Sequence, residues 1–383
     1  MRVLILGGDG YLGWPTAMEF AQAGYAVTVA DNYLRRTIAE QTDSQSLLQN
    51  PDLTDRAAEF RKLTGKKIEV AIVDLANATA LKKLFNQAKP DCIIHYAEQP
   101  SAPYSMRGFD EAQLTFKNNL EVTFNVIWGM IAECPDAHLV KLGTMGEYGT
   151  PNIDIEEGWL DVTHNGRTQK FLYPRAASSL YHTTKVLDTD LLYFYVRTYG
   201  LRVTDLMQGP VYGLSTPESD LSEKLVPSFH YDDIFGTVVN RFLTQAIAGI
   251  PLTVYGKGGQ TRGYLNLRDT LQCVRLAASA PAGAGELRIF NQFTETFTVL
   301  ELAENVKRAA AQMGLHVEIK NIENPRKEME EHYYNPAHTG LTDLGLEPTL
   351  MTDEVLVQML NLIQNKKDQI KLDRILPRVS WKN

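Results

Sequence analysis

Gly7-Gly8-Asp9-Gly10-Tyr11-Leu12-Gly13 follows directly on the apolar run Met1 to Leu6 and precedes an apolar-periodic stretch from Thr16 to Ala23. The first run predicts a buried strand and the last a helix, so the three spaced glycines stand at a strand-to-helix turn. Such glycines permit a tight turn, a close approach of the backbone to a pyrophosphate, and close packing of the helix on the sheet. The spacing in this context indicates a dinucleotide site at the helix N-terminus, the alternative being a structural turn without a ligand.

An acidic residue, Asp31, follows the next apolar run, Ala26 to Ala30. Its carboxylate would accept hydrogen bonds from the adenosine ribose hydroxyls and repel a 2'-phosphate, which predicts NAD rather than NADP. Arg35 and Arg36 count against this preference, since a guanidinium could hold that phosphate. The residues predicted to bind the cofactor are Gly7, Gly10, Tyr11, Leu12, Gly13, Asp31, Asn32, Arg35, Arg36, Asp74, Leu75, Tyr181 and Lys185.

Strand and helix patterns alternate as far as about residue 210, which predicts an α/β fold with a Rossmann-type doubly wound parallel sheet. We expect an NAD-binding domain over residues 1–213. Residues 214–383 are predicted to form mostly a smaller C-terminal substrate-binding lobe, with some returns to the main sheet. The last strands of that sheet are expected near Leu201 to Leu206 and Leu287 to Phe290.

Bulk composition fits a soluble enzyme with a large core, because 44% of the 383 residues are hydrophobic. The net charge of -8 argues against nucleic acid as a partner. Three cysteines without paired spacing suggest neither disulfides nor a zinc site, so no metal is predicted. The chain starts with a core strand and has no long apolar run, so we expect no signal peptide and no membrane segment. The expected location is the cytoplasm, or the plastid stroma if a transit peptide has been removed.

Tyr181-His182-Thr183-Thr184-Lys185 places a phenol and an ammonium on one helical face. A nearby cation favours the phenolate and so lowers the pKa of a tyrosine, which lets it take the proton of an alcohol while a hydride leaves for a nicotinamide. Thr144 ends the predicted strand His138 to Leu142 and could bond the same hydroxyl. The alternative is an amphipathic helix with a solvated lysine.

Polar clusters follow three predicted strands, where ligands of open parallel sheets bind. They are Glu98 to Tyr104, Gly143 to Gly149, and Gln208 to Gly213.

The glycine trio, the Thr/Tyr/Lys set and the segment Val254 to Tyr264 resemble the extended short-chain dehydrogenase/reductase superfamily of nucleotide-sugar enzymes. Within it, longer runs over nearly the whole chain are similar to the UDP-sulfoquinovose synthase family of sulfolipid biosynthesis. Those runs are Gly7 to Trp14, Ser101 to Met106, Leu139 to Glu157, Thr163 to Thr168, Leu252 to Leu265, Glu330 to Asn335 and Val379 to Lys382.

This resemblance implies an NAD-dependent enzyme that joins UDP-glucose and sulfite. Tyr181, Lys185 and Thr144 would oxidise the glucose C4, the ketone would acidify the C5 hydrogen, water would leave from C6, and sulfite would add there before hydride returns. Glu147 and His182 are candidates for the C5 and C6 proton transfers, with a capping glutamate and a core histidine as the alternatives. Related 4,6-dehydratases carry Asp-Glu where this chain has Met145-Gly146, and a methionine cannot protonate a leaving hydroxide.

Substrate-binding candidates follow partly from the same resemblance. They are Gln99, Tyr104, Asn118, Thr144, Gln208, Asn240, Tyr255, Gln260, Arg262 and Arg326, and Asn119 is an alternative to Asn118.

The resemblance also implies a homodimer through helices Leu114 to Ile131 and Tyr181 to Tyr199. Whether a partner enzyme supplies the sulfite is left open.

The chain departs from the synthase family at Pro100, where that family carries an arginine suited to an oxyanion. Arg107, His182 or Arg262 could take that role. The departure leaves open a C4 epimerase or an enzyme that releases an unsaturated sugar nucleotide, and a non-catalytic NAD-binding module is a further alternative.

Overall fold

The computed structural model describes residues 1–48, 50–324 and 333–376. Arg326 and the run Val379 to Lys382 lie outside the described residues, as does part of Glu330 to Asn335. The strands are β1 (Arg2–Leu6), β2 (Ala26–Asp31), β3 (Ile68–Ile72), β4 (Cys92–His95), β5 (His138–Thr144), β6 (Trp159–His164), β7 (Arg167–Leu172), β8 (Arg202–Gln208), β9 (Val211–Tyr212), β10 (Leu252–Tyr255), β11 (Thr261–Asn266), β12 (Leu287–Gln292), β13 (Glu295–Thr298) and β14 (Ile319–Ile322). The α-helices are α1 (Gly13–Gln22), α2 (Leu34–Gln41), α3 (Leu53–Thr64), α4 (Ala78–Ala88), α5 (Ala102–Ser105), α6 (Phe109–Glu133), α7 (Leu180–Tyr199), α8 (Val238–Ala248), α9 (Leu267–Ser279), α10 (Val299–Gln312), α11 (Gly340–Asp343) and α12 (Asp353–Gln364).

The main sheet has seven parallel strands in the order β12-β8-β5-β4-β1-β2-β3. Strand order reverses between β1 and β4, so the chain leaves these two strands toward opposite faces. A crevice opens at such a switch point, beyond the carboxyl ends of the strands. The predicted Rossmann-type fold is confirmed.

Alternating side chains of β1 enter two different cores, as the two-residue period of a strand requires. Leu4 and Leu6 pack with apolar residues of α4, α6 and α7. Val3 and Ile5 pack on the other face with those of α1, α3 and α9. Helices therefore cover both faces of the sheet.

Gly13 allows α1 to begin against the first turn of the chain. A Cβ atom at this position would lie 2.0 Å from the Gly7 carbonyl oxygen. Any side chain would push the helix N-terminus away from the turn, and with it the amides that could face a phosphate.

The second lobe has its own apolar core, in which α8, α10 and α12 pack together. Two small sheets complete it, β10 with β14 and β9 with β11 and β13. Helix α9 packs in the core that holds Val3 and Ile5, and strand β12 pairs with β8 in the main sheet. The domain boundary at residue 213 stays a prediction.

Two features were not predicted from the sequence. Helix α6 begins at Phe109, five residues before the predicted start, because Asp110 and Glu111 suit a helix N-terminus. An exposed hairpin, β6 with β7, turns at Asn165-Gly166, both with positive φ.

Among the described helices, none is long and apolar enough to cross a lipid bilayer.

Candidate active site

A cavity of about 430 Å³ lies beyond the carboxyl ends of the main strands. The glycine-rich turn after β1 and the residues after β2 form one end. The residues after β4, β5 and β8, together with the start of α7, form the other. One cavity therefore joins the glycine motif to the predicted catalytic residues.

Most residues predicted to bind NAD line the first end. They are Gly7, Gly10, Tyr11, Leu12, Gly13, Asp31, Asn32, Arg35, Asp74 and Leu75, and Tyr181 lines the other end. The Asp31 carboxylate accepts hydrogen bonds from the amides of Asp9 (2.9 Å) and Tyr33 (2.7 Å). Burial, followed by the charge of Asp9, raises the pKa of Asp31.

Arg36 does not line this cavity, contrary to its predicted role at the cofactor. Its guanidinium donates to both carboxylate oxygens of Asp9, at 2.7 and 2.6 Å, and to the Asn50 and Pro51 carbonyls. The buried Arg56 also pairs with Asp9. Because its guanidinium is bound to Asp9, Arg36 does not count against NAD, whereas Arg35 lines the cavity.

Thr144, Tyr181 and His182 line the opposite end of the cavity. Thr144 caps the 3₁₀ turn Met145–Glu147, and its hydroxyl accepts from the Gly146 amide at 3.1 Å. Ser179 caps α7, and its hydroxyl oxygen lies 3.0 Å from His182 Nδ1. The rings of Tyr181 and His182 lie 5.1 Å apart. The capped N-terminus of α7 thus holds a phenol and an imidazole side by side, at the same end of the cavity as Thr144.

Lys185 lies behind this wall rather than in the cavity, and its side chain is 3% exposed. Its ammonium forms a close ion pair with Glu98 and lies 3.6 Å from Asp188. Burial alone would lower the pKa of Lys185, but the Glu98 carboxylate brings it above its usual value. Burial, and then the charge of Glu98, raise the pKa of Tyr181. The expected lowering of this pKa by the Lys185 ammonium is therefore not found, and the ammonium pairs instead with the Glu98 carboxylate.

Glu147 is fully buried behind Thr144 and does not reach the cavity. It accepts from the Thr144 amide (3.3 Å) and the Thr189 hydroxyl (3.1 Å), and it lies 3.5 Å from the Lys141 ammonium. Burial raises its pKa. The structure therefore does not support proton transfer to the sugar by Glu147, which acts as a capping residue. Met145 is also buried, in the apolar core.

Known proteins with similar sequences show the family of this chain. Residues 3–291 match the NAD dependent epimerase/dehydratase family. The whole chain aligns with the chloroplastic UDP-sulfoquinovose synthase of Spinacia oleracea at 48% identity, covering 79% of that protein. It also aligns with the UDP-sulfoquinovose synthase of Sulfolobus acidocaldarius at 44% identity, covering 98% of that protein.

The chain belongs to the UDP-sulfoquinovose synthase family.

Membership confirms the predictions of this family, of an enzyme, and of NAD as the cofactor. Solved structures with the same fold include UDP-glucose 4-epimerase from Thermotoga maritima with UDP-glucose. That structure has a TM-score of 0.70 and 20% identity, over 95% of this chain and 99% of that chain. The UDP-glucose 4-epimerase of Bifidobacterium longum, in complex with NAD⁺ and UDP, has a TM-score of 0.71 and 19% identity, over 96% and 99%.

Gly146 makes room for His182 in this family member. A Cβ atom at position 146 would lie 2.4 Å from both Cδ2 and Nε2 of the imidazole. Any longer side chain at this position would displace the ring. Glycine at 146 therefore leaves space for the imidazole at this end of the cavity.

The predicted substrate-binding residues fall into three groups. Asn118, Thr144 and Gln208 line the cavity. Tyr255, Gln260 and Arg262 lie on or between β10 and β11 of the second lobe, outside the cavity, and the Gln260 amide is buried without a hydrogen-bond partner among the described atoms. The remaining described residues, Gln99, Tyr104 and Asn240, are structural.

Gln99 is buried and its amide bonds Ser101 and Thr115, so it is not available to a sugar. Tyr104 packs in a small apolar cluster. Asn240 donates to the His230 carbonyl at 2.9 Å. Local polar character suggested these roles, but the side chains satisfy the fold instead. Asn119, the alternative to Asn118, is fully buried and donates to Thr184.

Glu98 is the site residue that the sequence analysis missed. Its signal was present, since it opens the polar cluster after the fourth predicted strand. Sequence spacing gave no reason to connect it with Lys185, 87 residues later.

Proposed function

We propose that this chain is a UDP-sulfoquinovose synthase that converts UDP-glucose and sulfite to UDP-sulfoquinovose and water. The observation that carries the proposal is the single cavity that joins the glycine motif to Thr144, Tyr181 and His182. Its relatives named UDP-sulfoquinovose synthase support the choice of substrates.

NAD fits the first end of the cavity. A Cβ atom at Gly7 or Gly13 would clash with the backbone, so only glycine permits this tight turn. Asp31 also lines the cavity, where its carboxylate can accept hydrogen bonds from ribose hydroxyls. The residues that would hold it there are the Gly7–Gly13 turn, Asp31, Asn32, Arg35, Asp74 and Leu75. When bound, NAD supplies the hydride acceptor and donor at C4.

The chain's own residues divide the remaining work. Tyr181 takes the C4 hydroxyl proton and later returns it, and Thr144 bonds the same oxygen. His182 lies beside Tyr181 and carries the protons of C5 and C6, because it is the imidazole of the described cavity wall. Water leaves C6, sulfite adds to the 5,6-double bond conjugated with the ketone, and the C5 proton is restored.

Sulfite has few cations to bind near the sugar. Pro100 lines the cavity where the family carries an arginine, while Arg107 and Arg262 do not line it. Among the described lining residues, only Arg35, at the cofactor end, and His182 can carry a positive charge. We propose that His182 passes the C5 proton to the leaving C6 hydroxyl, is protonated again from solvent, holds sulfite in that charged form, and gives this second proton to C5.

We also propose a homodimer through α6 and α7, supported by the exposed aromatic residues on these helices. The proposed compartment is the plastid stroma after loss of a leader, or otherwise the cytoplasm. A relative named as chloroplastic supports the first. A sulfite-supplying partner enzyme remains a prediction.

The decisive experiment is mass spectrometry of the product from UDP-glucose with and without sulfite. We expect a sulfonate-containing sugar nucleotide only with sulfite. A product of unchanged mass that forms without sulfite would point to a 4-epimerase, and a product lighter by one water would point to release of the unsaturated sugar.

Tyr181→Phe should lower turnover by about 10²- to 10⁴-fold while NAD stays bound, because the variant lacks the general base. Tyr193→Phe removes a phenol from the same helix outside the cavity and should leave turnover unchanged. Full activity of Tyr181→Phe would contradict the proposed mechanism.

A further inference from the structure

Glu98 occupies a place that the proposed reaction has not used. It stands three residues after the end of β4, lines the cavity, and has a side chain only 5% exposed. One carboxylate oxygen pairs closely with the Lys185 ammonium and lies 3.8 Å from His95 Nε2. The other, Oε2, is buried with no hydrogen-bond partner among the described atoms. Leaving a buried carboxylate oxygen without a hydrogen-bond partner costs free energy. This cost points to a functional role rather than a purely structural one.

Several ionisable groups surround the Tyr181–Lys185 pair. Besides Glu98 they are His95 on β4, Lys141 on β5, Glu147 in the 3₁₀ turn, His182 and Asp188 on α7, and Asp205 on β8. Lys141 is held by Asp205 at 3.1 Å and lies 3.5 Å from Glu147. Lys141 therefore pairs with Asp205 and Glu147, while Lys185 pairs with Glu98 and Asp188.

The two carboxylates near Lys185 differ in their distance from its ammonium and in the direction of their pKa shifts. Asp188 is the more distant one, at 3.6 Å, and burial, followed by the charge of Glu98, raises its pKa well above the usual value. Burial also opposes the charge on Glu98, but the Lys185 ammonium brings the pKa of Glu98 below its ordinary value. Glu98 therefore carries the negative charge that faces Lys185.

We propose that Glu98 is a positioning residue for the oxidation at C4: it fixes the Lys185 ammonium beside Tyr181 and sets the pH at which the phenol gives up its proton. This inference rests on the proposed function only in that C4 is oxidised by Tyr181 and NAD. The reaction needs Tyr181 twice, as a base when C4 is oxidised and as an acid when hydride returns. A lysine without a counter-charge would favour the phenolate alone, whereas the Glu98–Lys185 pair keeps both protonation states within reach.

The test uses the holoenzyme with UDP-glucose and no sulfite. Its readout is the rate at which reduced nicotinamide absorbance appears, followed across pH. Where too little reduced cofactor accumulates, the isotope effect of 4-deuterated UDP-glucose on the steady-state rate replaces it. Glu98→Gln removes the charge at nearly constant size. We expect the acid limb of its pH–rate profile, where the rate falls as the pH drops, to move to lower pH by about one unit, because the phenolate loses a repelling neighbour. The rate on the plateau above this limb should fall about tenfold, because Lys185 is less well fixed.

Asp188→Asn is the matched control. It changes the other carboxylate near Lys185, which lies 3.6 Å from the ammonium and does not line the cavity, so the acid limb should move less than in Glu98→Gln. Glu98→Asp keeps the charge on a shorter stem. Its limb should also stay, while the plateau rate falls, and this variant decides the case if Glu98→Gln does not fold.

An unmoved limb in Glu98→Gln, an equal shift in Asp188→Asn, or a wild-type plateau in Glu98→Asp would overturn the inference. A purely structural role would lower the midpoint of thermal unfolding without moving the limb. Failure of the proposed function is distinguishable, because absence of a sulfonate product leaves this sulfite-free readout unaffected.

Discussion

At the scale of single residues, contacts between side chains far apart in sequence decide the chemistry of the site. Gly146 and His182 are the sharpest case, since an added Cβ atom would overlap the imidazole. Asp9 acts similarly on Arg36, and Glu98 on Lys185. In each case a residue distant in sequence affects where a charged or aromatic group lies or which group it pairs with.

Gly146→Ala should displace His182 and lower the rate of sulfonate formation about 100-fold, because misplaced reacting groups lose their orientation. Oxidation at C4, measured by reduced nicotinamide absorbance without sulfite, should be affected much less. Gly283→Ala is the control, since its Cβ atom would meet only the side chain of Glu286 in an exposed turn. Equal loss in both assays would indicate that the whole site has collapsed, against a specific role for His182.

At the scale of elements, α6 and α7 present apolar surface that the described fold leaves uncovered. Phe124 and Trp128 on α6 and Phe194 and Tyr199 on α7 are each 41% to 50% exposed. Their rings cluster around Tyr195, with centroids 5.1 to 6.4 Å from its ring. Contiguous aromatic surface of this kind is typical of an interface between subunits.

Phe194→Glu should weaken the proposed homodimer at least about 30-fold, because a carboxylate would be buried in an aromatic interface. Light scattering combined with size-exclusion chromatography measures the change. Leu350→Glu places the same charge on an exposed apolar residue of the second lobe and should leave the mass unchanged. A dimer that survives Phe194→Glu would exclude this face as the contact.

At the scale of the whole molecule, buried histidines link folding stability to pH. Burial lowers the pKa of His95 and of His138 to about 4. In the unfolded chain both have a pKa of about 6.5, so between these values the unfolded state binds protons that the folded state does not. Their contribution to stability is therefore complete above about pH 6.5 and is lost as the pH falls toward 4.

His138→Gln should make the free energy of unfolding less sensitive to acidification between about pH 7 and pH 5. The amide keeps a partner for Thr204, which lies 2.9 Å from the ring, but removes the titration. Thermal or denaturant unfolding at several pH values measures this difference against the wild type. His164→Gln changes an exposed histidine of the β6–β7 hairpin and should behave like the wild type. An unchanged pH slope in His138→Gln would contradict the assignment.

Local patterns in the chain were enough to predict the fold and the family. The strand-glycine-helix run, the alternation of elements and the Tyr181–Lys185 spacing depend on neighbours within one or two turns, so their meaning survives without coordinates. The same locality explains the agreement on the cavity-lining residues around Gly7, Asp31 and Thr144, which lie at the carboxyl ends of strands.

Only the tertiary structure decided which charged groups face that cavity. Glu147 was predicted to reach the sugar, yet Lys141 and Thr189 bind it in the interior. Lys185 was predicted to activate Tyr181, yet its ammonium is paired with Glu98. Electrostatic partners are chosen by distance in space and by burial, and these pairs come from strands and helices that meet only when the sheet is assembled. The sequence by itself therefore determined the kind of enzyme, while the folded chain determined the charge and orientation of its catalytic groups.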